Sequence, residues 1–299
     1  MNEWRVYDFF STDKVLADTS HRRALLILNQ PLCRLSCFET LWQNVSVRMC
    51  ADGGANRLYD TLATDELRTR FIPNFICGDL DSLRPDVREF YRSAGVEIIW
   101  DPSQDSTDFQ KCLRHFEKVY ETPGGEMMHV LAFGALSGRL DQTIGSLSTL
   151  FRQPLQRKLY LASNDSIATL IRPVPASLET PPSEDLSTDV NARLCHIWSA
   201  KGFEGPCCGI GSLGCDARVI STGLKWNLNK TMVLNFDKLW SSSNAFENDD
   251  TPHRHGWSAE SELDDHGIPS VVNTGHIEYM HVTIDTDKPV LWTVEVDLG

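Results

Sequence analysis

Two aspartates stand one residue apart in the segment GDLDS (residues 78–82), directly after the apolar run Phe75–Cys77. If the segment is extended, the Asp79 and Asp81 side chains project to the same side. Two carboxylates about 4 Å apart in a partly buried site repel each other by roughly 4 kcal/mol. A divalent cation offsets this repulsion, and Mg²⁺ prefers such hard oxygen ligands. The pair therefore predicts a magnesium site, and the alternative interpretation is an acidic surface turn.

Further polar residues follow other apolar runs. Asp52 precedes two glycines, which permit a tight turn and a close approach of a ligand to the backbone. Thr107 and Gln110 have the spacing of a capping box, so a helix is expected to begin there, with Asp108 in its first turn and Lys111 on the same face. The free N–H groups of such a helix start favour an anion such as phosphate. An ordinary N-terminal acid and a solvated lysine are the alternative.

Two more segments carry residues suited to ligand binding. In GALSGRLDQ (residues 134–142), Arg139 and Asp141 stand in the first turn of an expected helix. There, Arg139 is suited to binding a phosphate, and Asp141 supplies a carboxylate beside it. A surface ion pair that contributes little to stability is the alternative. In STGLKWNL (residues 221–228), Trp226 offers a stacking face to a flat or cationic heterocycle. The alternative there is an ordinary core tryptophan.

The first half of the chain alternates short apolar runs with helical patterns, and both position these residues. Apolar side chains recur with the i, i+3, i+4, i+7 spacing of a helix in Phe109–Tyr120 and Leu140–Phe151. The alternation predicts an α/β domain with a mostly parallel, doubly wound sheet, in which ligands bind beyond the carboxyl ends of the strands. The runs, which suit strands buried on both faces, are Ala24–Leu28, Val47–Ala51, Phe75–Cys77, Val96–Trp100, Val130–Phe133 and Leu159–Ala162.

The pattern changes from about Ile171 onward. Residues 173–192 are rich in Pro, Ser and acids and are predicted to be a linker or loop. Short alternating segments then predict an antiparallel β domain over 193–299, in which residues 241–275 are expected to be a mobile insertion. Residues 21–172 form the predicted α/β domain, and residues 1–20 an N-terminal extension.

Composition limits the classes of partner. The chain has 299 residues, 41% of them hydrophobic, which is enough for a sizeable core. A net charge of −13 argues against a broad nucleic-acid or anionic-membrane surface.

Nine cysteines without a CxxC pair are expected to be free thiols. The first residues lack the basic start and apolar middle of a signal peptide, so we expect a cytoplasmic protein.

Six motifs occur together and in order: LNQPL (28–32), ADGGANRLYD (51–60), GDLDS (78–82), DSTDFQKCL (105–113), SGRLDQ (137–142) and TGLKWNL (222–228). This set resembles the eukaryotic type of thiamin pyrophosphokinase, and the closing PVLWTVEV is similar to the end of that family. The likeness runs from about residue 23 to the C-terminus. It implies an α/β domain that binds ATP, a C-terminal β-sandwich, and a homodimer whose thiamin site lies between the subunits.

The resemblance also implies roles for single residues. By motif match, the Mg²⁺ ligands are Asp79, Asp81 and Asp108. Trp226 stacks on thiamin, with Thr222 nearby. The residues implied around ATP are Asn29, Gln30, Gln104, Thr107, Lys111, Arg139 and Gln142, and Asp52 and Asp141 complete the polar pocket.

The implied reaction is attack of the thiamin hydroxyl on the β-phosphorus of ATP, which gives thiamin diphosphate and AMP. Such a transfer depends on alignment and charge neutralisation, and Asp141 is the candidate proton acceptor. Other interpretations stay open: another metal-dependent nucleotide-using transferase such as a glycosyltransferase, a phosphatase with an aspartate nucleophile, or a non-catalytic ligand-binding module. Leu83 stands where that phosphatase signature has threonine or valine.

Overall fold

The structure is a computed structural model that describes residues 3–11, 22–121, 127–173, 194–247 and 278–299. The chain divides into two units. The N-terminal unit comprises Asp8–Thr169 and Asp297–Gly299, and the C-terminal unit comprises Met1–Tyr7 and Leu170–Val296. The predicted linker, except for its first residue, and most of the predicted insertion lie outside the described residues.

In chain order the strands are β1 (Glu3–Trp4), β2 (Arg23–Ile27), β3 (Val47–Ala51), β4 (Phe75–Gly78), β5 (Glu97–Trp100), β6 (His129–Phe133), β7 (Leu159–Ala162), β8 (Ser166–Ile171), β9 (Cys195–Ala200), β10 (Glu204–Gly211), β11 (Ala217–Thr222), β12 (Val233–Leu234), β13 (Ser241–Ala245), β14 (Tyr279–Thr286) and β15 (Val290–Val296). The helices are α1 (Leu35–Gln43), α2 (Gly54–Thr61), α3 (Asp65–Arg70), α4 (Pro85–Ser93), α5 (Asp108–Tyr120) and α6 (Leu140–Arg152).

The sheet of the N-terminal unit has the strand order β8-β7-β6-β2-β3-β4-β5. Strands β2 to β7 are parallel to their neighbours, and β8 runs antiparallel to β7. From β2 the chain moves outward through β3, β4 and β5, then returns to place β6 on the other side of β2. The direction of winding therefore changes between β2 and β6, and a crevice at such a switch point is where doubly wound sheets bind ligands. The predicted α/β fold is confirmed.

Burial of apolar side chains accounts for the order of these elements. Every residue of β2 is buried, as the continuous apolar run predicts for a central parallel strand. Helix α5 packs against β3 and β4 and buries Phe109, Cys112, Leu113 and Phe116, which share one face. Each large apolar side chain that is fully buried contributes about 1.5–3 kcal/mol. Because α5 is fixed by this face, its first turn is held beside the ends of β3 and β4.

Two expectations from periodicity differ from the structure. Strand β5 was expected to be buried on both faces, but it is the edge strand, and Trp100 is 66% exposed. Helix α6 forms as predicted, yet its apolar residues Leu140, Ile144 and Phe151 are exposed, whereas Ser146 and Leu150 are buried. Strand order and the choice of packed face depend on distant segments, which local spacing does not contain.

The C-terminal unit consists of mainly antiparallel strands, as predicted. One sheet has the order β1-β9-β14-β11-β12, in which β1 alone pairs parallel to its neighbour. Strand β10 pairs antiparallel with β13 and β15. Alternating residues of β14 are buried, including Met280, Val282 and Ile284, so one face of the strand lies on the core.

Two segments at the predicted domain boundaries form strands. Glu3 and Trp4, within the expected N-terminal extension, pair with β9. Residues 241–245, at the start of the expected insertion, form β13. Within the described residues, no helix is long and apolar enough to cross a membrane.

Candidate functional site

Three carboxylates converge beyond the carboxyl ends of β3 and β4. Asp52 follows β3, Asp79 follows β4, and Asp108 is the first residue of α5. One carboxylate oxygen from each lies within 4.8 Å of the others. In addition, the backbone N–H of Asp79 donates a hydrogen bond to the Asp108 carboxylate at 3.2 Å. Segments that are distant in sequence thus meet where the sheet is expected to bind a ligand.

Lys111 supplies the positive charge within this acidic cluster of Asp52, Asp79 and Asp108. Its side chain is only 2% exposed, and its Nζ lies 2.9 Å from Asp108 Oδ1 and 3.5 Å from Asp79 Oδ2. Burial acts to lower the pKa of Lys111, but the hydrogen bond and charge of Asp108, together with Asp79, outweigh it and raise the pKa. The lysine is therefore charged at neutral pH. The Lys111 ammonium contacts two of the three carboxylates, so the cluster retains an excess of negative charge.

Asp52 holds the loop that carries the predicted acidic pair. Its Oδ2 accepts a hydrogen bond from Ser82 N and its Oδ1 accepts one from Leu83 N, each at 3.1 Å. Asp52 is 4% exposed and has a φ of 43°. Burial raises the pKa of this carboxyl, the Ser82 N–H opposes the rise, and the charge of Asp108 adds to it. Asp52 thus fixes the loop position by two backbone hydrogen bonds.

Gly78 permits the close approach of these acids. A Cβ at this position would lie 2.8 Å from the Cβ of Asp52 and 3.1 Å from Asp108 Oδ1. Any side chain would therefore push Asp52 or Asp108 away. The glycine that ends β4 is required by the space between the two carboxylates.

The Asp81 carboxylate is not part of the acidic cluster, although the Asp81 backbone N–H donates a hydrogen bond to Asp79 Oδ1 at 3.4 Å. Its side chain is exposed, and its Oδ1 accepts a hydrogen bond from Ser82 Oγ at 3.0 Å. Residues 79–81 do not meet the condition of an extended segment, because Leu80 has a φ of 63° and turns the chain. The two side chains therefore do not follow the period of a strand, and Asp52 occupies the third position of the cluster.

The loops at the switch point between β2 and β6 lie close together. Leu28 N donates to Phe133 O at 3.0 Å, and a Cβ on Gly134 would lie 2.9 Å from the Cβ of Gln30. Asn29 is exposed, and its Oδ1 accepts a hydrogen bond from Arg57 Nε at 2.8 Å. Arg57 was not among the predicted site residues. Its signal in the sequence was its place directly after DGGAN, at the start of α2.

The predicted capping box is present at the start of α5. Thr107 Oγ1 accepts a hydrogen bond from Gln110 N at 3.3 Å, and Gln110 Oε1 accepts one from Thr107 N at 3.4 Å. Gln104 is exposed, and its Nε2 donates to Pro102 O at 3.3 Å. Thr107 thus has a structural role in placing Asp108, whereas Gln104 makes no side-chain contact with the acidic cluster in the described hydrogen bonds.

Arg139 and Asp141 pair with each other at the exposed start of α6. Arg139 Nη2 donates to Asp141 Oδ2 at 2.5 Å, and both side chains are more than half exposed. The hydrogen bond from Arg139 lowers the pKa of Asp141, which makes the carboxylate a weak base while the pair persists. Gln142 is exposed on the same turn. Gly138, which directly precedes Arg139, lies next to Gln30, because a Cβ on Gly138 would contact the Gln30 side-chain amide.

The predicted stacking residue lies in the C-terminal unit and is not a core tryptophan. Trp226 is 56% exposed, and Lys225 Nζ lies 4.9 Å from the ring centroid. Asn244 fixes the turn, since its Oδ1 accepts from Trp226 N and its Nδ2 donates to Trp226 O at 2.9 Å. Thr222 ends β11, and its hydroxyl lies 2.6 Å from that of Thr283. The indole is therefore largely exposed on a turn that Asn244 holds by two hydrogen bonds.

Two family models match the chain. Residues 38–161 match the thiamin pyrophosphokinase catalytic domain, and residues 195–253 match the thiamin pyrophosphokinase vitamin B1 binding domain. The first match contains Asp52, Asp79 and Asp108, and the second contains Thr222 and Trp226. The motifs and the two units are thus recognised independently of the geometry.

Curated relatives and solved structures agree with these matches. Thiamine pyrophosphokinase 3 of Oryza sativa is 35% identical over 237 residues, which cover 76% of this chain and 80% of the rice protein. Thiamine pyrophosphokinase 1 of Arabidopsis thaliana is 32% identical, with 93% of this chain and 88% of that protein covered. The crystal structure of yeast thiamin pyrophosphokinase has a TM-score of 0.72 at 24% identity, covers 99% of this chain and 91% of the yeast chain, and supports the fold. The chain therefore belongs to the thiamin pyrophosphokinase family.

Proposed function

We propose that this protein transfers a pyrophosphoryl group from ATP to the hydroxyl of thiamin, which gives thiamin diphosphate and AMP. The observation that carries the proposal is the acidic cluster of Asp52, Asp79 and Asp108 with Lys111 at the ends of β3 and β4. Family membership supports the same reaction, since the relatives are named thiamine pyrophosphokinases.

The donor set of the cluster fits a divalent cation. The cluster contains three carboxylates and one ammonium, so it carries an excess of negative charge that a hard cation would offset. Asp79 and Asp108 are the ligands that we propose for Mg²⁺, with Asp81 as a further ligand from the same loop. Asp52 is proposed to hold the loop. When bound, Mg²⁺ supplies neutralisation of phosphate charge.

Positive side chains and helix starts are proposed to orient the triphosphate. Lys111 and Arg139 would balance phosphate charge, and Asn29, Gln30, Gln104, Thr107 and Gln142 would donate or accept hydrogen bonds at the same edge of the sheet. Arg57, which already contacts Asn29, is added to this set. Pyrophosphoryl transfer requires little covalent participation by the protein, so alignment of these groups is their main contribution.

The pair of Arg139 and Asp141 is proposed to change partner when ATP binds. A phosphate that takes up the Arg139 guanidinium would free the Asp141 carboxylate from the hydrogen bond that lowers its pKa. Asp141 would then accept the proton of the thiamin hydroxyl. Trp226 is proposed to stack with the ring system of thiamin, with Thr222 nearby, because the Trp226 side chain is more than half exposed.

Product identification tests the reaction. The purified chain is incubated with ATP, Mg²⁺ and thiamin, and products are separated and identified by mass. Equal amounts of AMP and thiamin diphosphate are expected. Release of ADP with thiamin monophosphate, of free phosphate, or of no product despite thiamin binding would contradict the proposal. Asp79→Asn should lower the rate by about 100-fold or more, since a proposed ligand of the Mg²⁺ that neutralises phosphate charge is removed.

We also propose a cytoplasmic homodimer with an active site at the subunit interface. The resemblance to the family motivates the dimer, and the nine free cysteines suit a reducing compartment. A mass measurement in solution tests the dimer, and fractionation of cells tests the location.

A further inference from the structure

The loop of residues 79–84, here called the Asp79 loop, contains a strained backbone position. Leu80 has a φ of 63°, in the left-handed region that residues other than glycine seldom adopt. Such a conformation persists only where the surrounding structure holds it in place. The turn at Leu80 separates Asp79, whose carboxylate is in the acidic cluster, from Asp81, whose carboxylate is not. Contacts that hold this loop therefore bear on the geometry of the cluster.

Asn56, in helix α2, binds the Asp79 loop through both ends of its side-chain amide. Its Nδ2 donates a hydrogen bond to Ser82 O at 2.7 Å, and its Oδ1 accepts one from Arg84 N at 3.2 Å. Asp52 accepts the N–H groups of Ser82 and Leu83. The two side chains together thus bind the loop backbone at three consecutive residues.

The same helix binds the loop a second time through an ion pair. Arg84 Nη1 and Nη2 donate to the two carboxylate oxygens of Asp60 at 2.7 and 2.6 Å, which is a bidentate pair. Asn56 and Asp60 are four residues apart and therefore lie on one face of α2. The helix buries Ala55 and Leu58, which fixes it in the fold. One face of α2 thereby holds the Asp79 loop from outside the acidic cluster.

We propose that Asn56 is a positioning residue for the Asp79 loop, and that its amide, supported by the Asp60–Arg84 pair, sets the affinity of the acidic cluster for a divalent cation. The inference rests on the proposed cation site. Asn56 and Asp60 belong to the motif ADGGANRLYD, and no step of the proposed reaction uses them. Asn56 acts through the loop backbone: without its amide, the turn at Leu80 relaxes and the Asp79 carboxylate leaves the cluster.

Binding of Mn²⁺ to the full chain, without nucleotide or thiamin, tests this inference. Mn²⁺ takes the same oxygen ligands as Mg²⁺, and electron paramagnetic resonance measures the free ion, so the readout does not require turnover. Asn56→Ala is expected to weaken Mn²⁺ binding by about 10-fold to 100-fold, as loss of a residue that orients metal ligands does. Arg84→Met should weaken binding by a smaller factor, because the Asn56 amide remains.

Asn229→Ala is the matched control. Asn229 also holds a turn through its amide, since its Oδ1 accepts a hydrogen bond from Thr231 N at 3.0 Å, but it lies in the C-terminal unit. The Asn229→Ala chain should bind Mn²⁺ as the unaltered chain does.

Relief of the strain at Leu80 separates positioning from a general loss of structure. Glycine adopts a positive φ without steric cost, so the turn of a Leu80→Gly chain depends less on contacts from α2. Asn56→Ala should therefore reduce Mn²⁺ affinity by a smaller factor in the Leu80→Gly chain than in the unaltered chain. A general loss of structure would give the same factor in both chains.

Equal Mn²⁺ affinity in the unaltered and Asn56→Ala chains would overturn the inference, as would an equal loss with leucine or glycine at position 80. If Asn56→Ala does not fold, unchanged affinity in the Arg84→Met chain would overturn it instead. An unaltered chain that does not bind Mn²⁺ would overturn both the inference and the proposed cation site. Failure of the proposed reaction is distinguishable, because such a chain would bind Mn²⁺ yet form no AMP and thiamin diphosphate.

Discussion

Lys111 supplies the positive charge that partly offsets the repulsion between the carboxylates of the acidic cluster. At an effective dielectric constant near 20, each pair of carboxylates about 4 Å apart repels by roughly 4 kcal/mol, and one ammonium offsets only part of this. Asp108 and Asp79 are each less than one-third exposed, so screening by solvent is incomplete. The free protein therefore carries an unfavourable charge excess at the edge of its sheet, which a bound cation would relieve.

Replacement of this lysine tests that charge excess. Lys111→Met is expected to lower the free energy of unfolding by about 1–3 kcal/mol, because buried polar partners lose a charged hydrogen-bond donor. Added Mg²⁺ should stabilise the variant more than the unaltered protein, because the variant has more uncompensated negative charge. Denaturant unfolding with and without Mg²⁺ measures both effects.

Lys238→Met is the matched control, since Lys238 forms an exposed ion pair with Asp216. It should change stability little and leave the effect of Mg²⁺ as it was. Equal stability of the Lys111→Met variant with and without Mg²⁺ would contradict a cation site in the cluster.

At the scale of elements, the first turn of α5 links fold and site. Its apolar face fixes the helix on β3 and β4, and its capping box fixes where the helix begins. Asp108 is the first residue after the cap, so the cap decides where this carboxylate stands. A local hydrogen-bond motif thereby fixes the position of Asp108 in the acidic cluster.

Removal of the cap hydroxyl tests this link. Thr107→Ala is expected to lower the free energy of unfolding by about 1 kcal/mol, since the N–H of Gln110 loses its partner. Thr107→Ser keeps an oxygen at the same position and should restore most of the loss. Thermal or denaturant unfolding measures both variants. The cap has no structural role if Thr107→Ala and Thr107→Ser have the same stability as the unaltered chain.

Strands β9 and β14 carry a histidine pair that couples stability to pH. His196 Nδ1 lies 2.9 Å from His281 Nε2. Burial and the neighbouring His196 lower the pKa of His281 below its usual 6.5, although Glu3 opposes this. The folded state therefore binds fewer protons than the unfolded state near pH 6.5.

Stability from His281 is thus present above pH 6.5 and is lost as the pH falls through 6.5 toward the folded pKa. His281→Gln should make this decline shallower, and His196→Gln should do so partly by removing a neighbour that lowers the pKa. The unfolding midpoint measured across this pH range gives the slope for each protein. Identical slopes in all three proteins would exclude the pair as a source of the dependence.

At the scale of the whole molecule, the residues proposed for the two substrates belong to different units. The acidic cluster lies in the N-terminal unit, and Trp226 lies in the C-terminal unit. The two family models divide in the same way, at residues 38–161 and 195–253. In the proposed homodimer, each active site would combine the N-terminal unit of one chain with the C-terminal unit of the other. Mixing variants of the two chains can test this proposal.

Two inactive variants should complement each other in a shared site. Asp79→Asn and Trp226→Ala chains are co-expressed with different tags, and the mixed dimer is purified through both tags. One of its two sites would contain only unaltered residues, so about half of the activity of the unaltered dimer is expected. Asp79→Asn paired with Lys111→Met is the control and should stay inactive. No recovery in the first mixture would mean that each site is built from one chain.

The sequence by itself determined the alternation of strands and helices, the antiparallel character of the C-terminal unit, the capping box at Thr107, and the placement of acids at strand ends. These features follow from local periodicity and local hydrogen bonding. Tertiary structure decided that Asp52 joins Asp79 and Asp108 while the turn at Leu80 leaves Asp81 outside. It also decided that β5 is an edge strand and that Leu140, Ile144 and Phe151 of α6 are exposed. The reason is that turn conformation, strand order and packed faces depend on contacts between segments far apart in the chain.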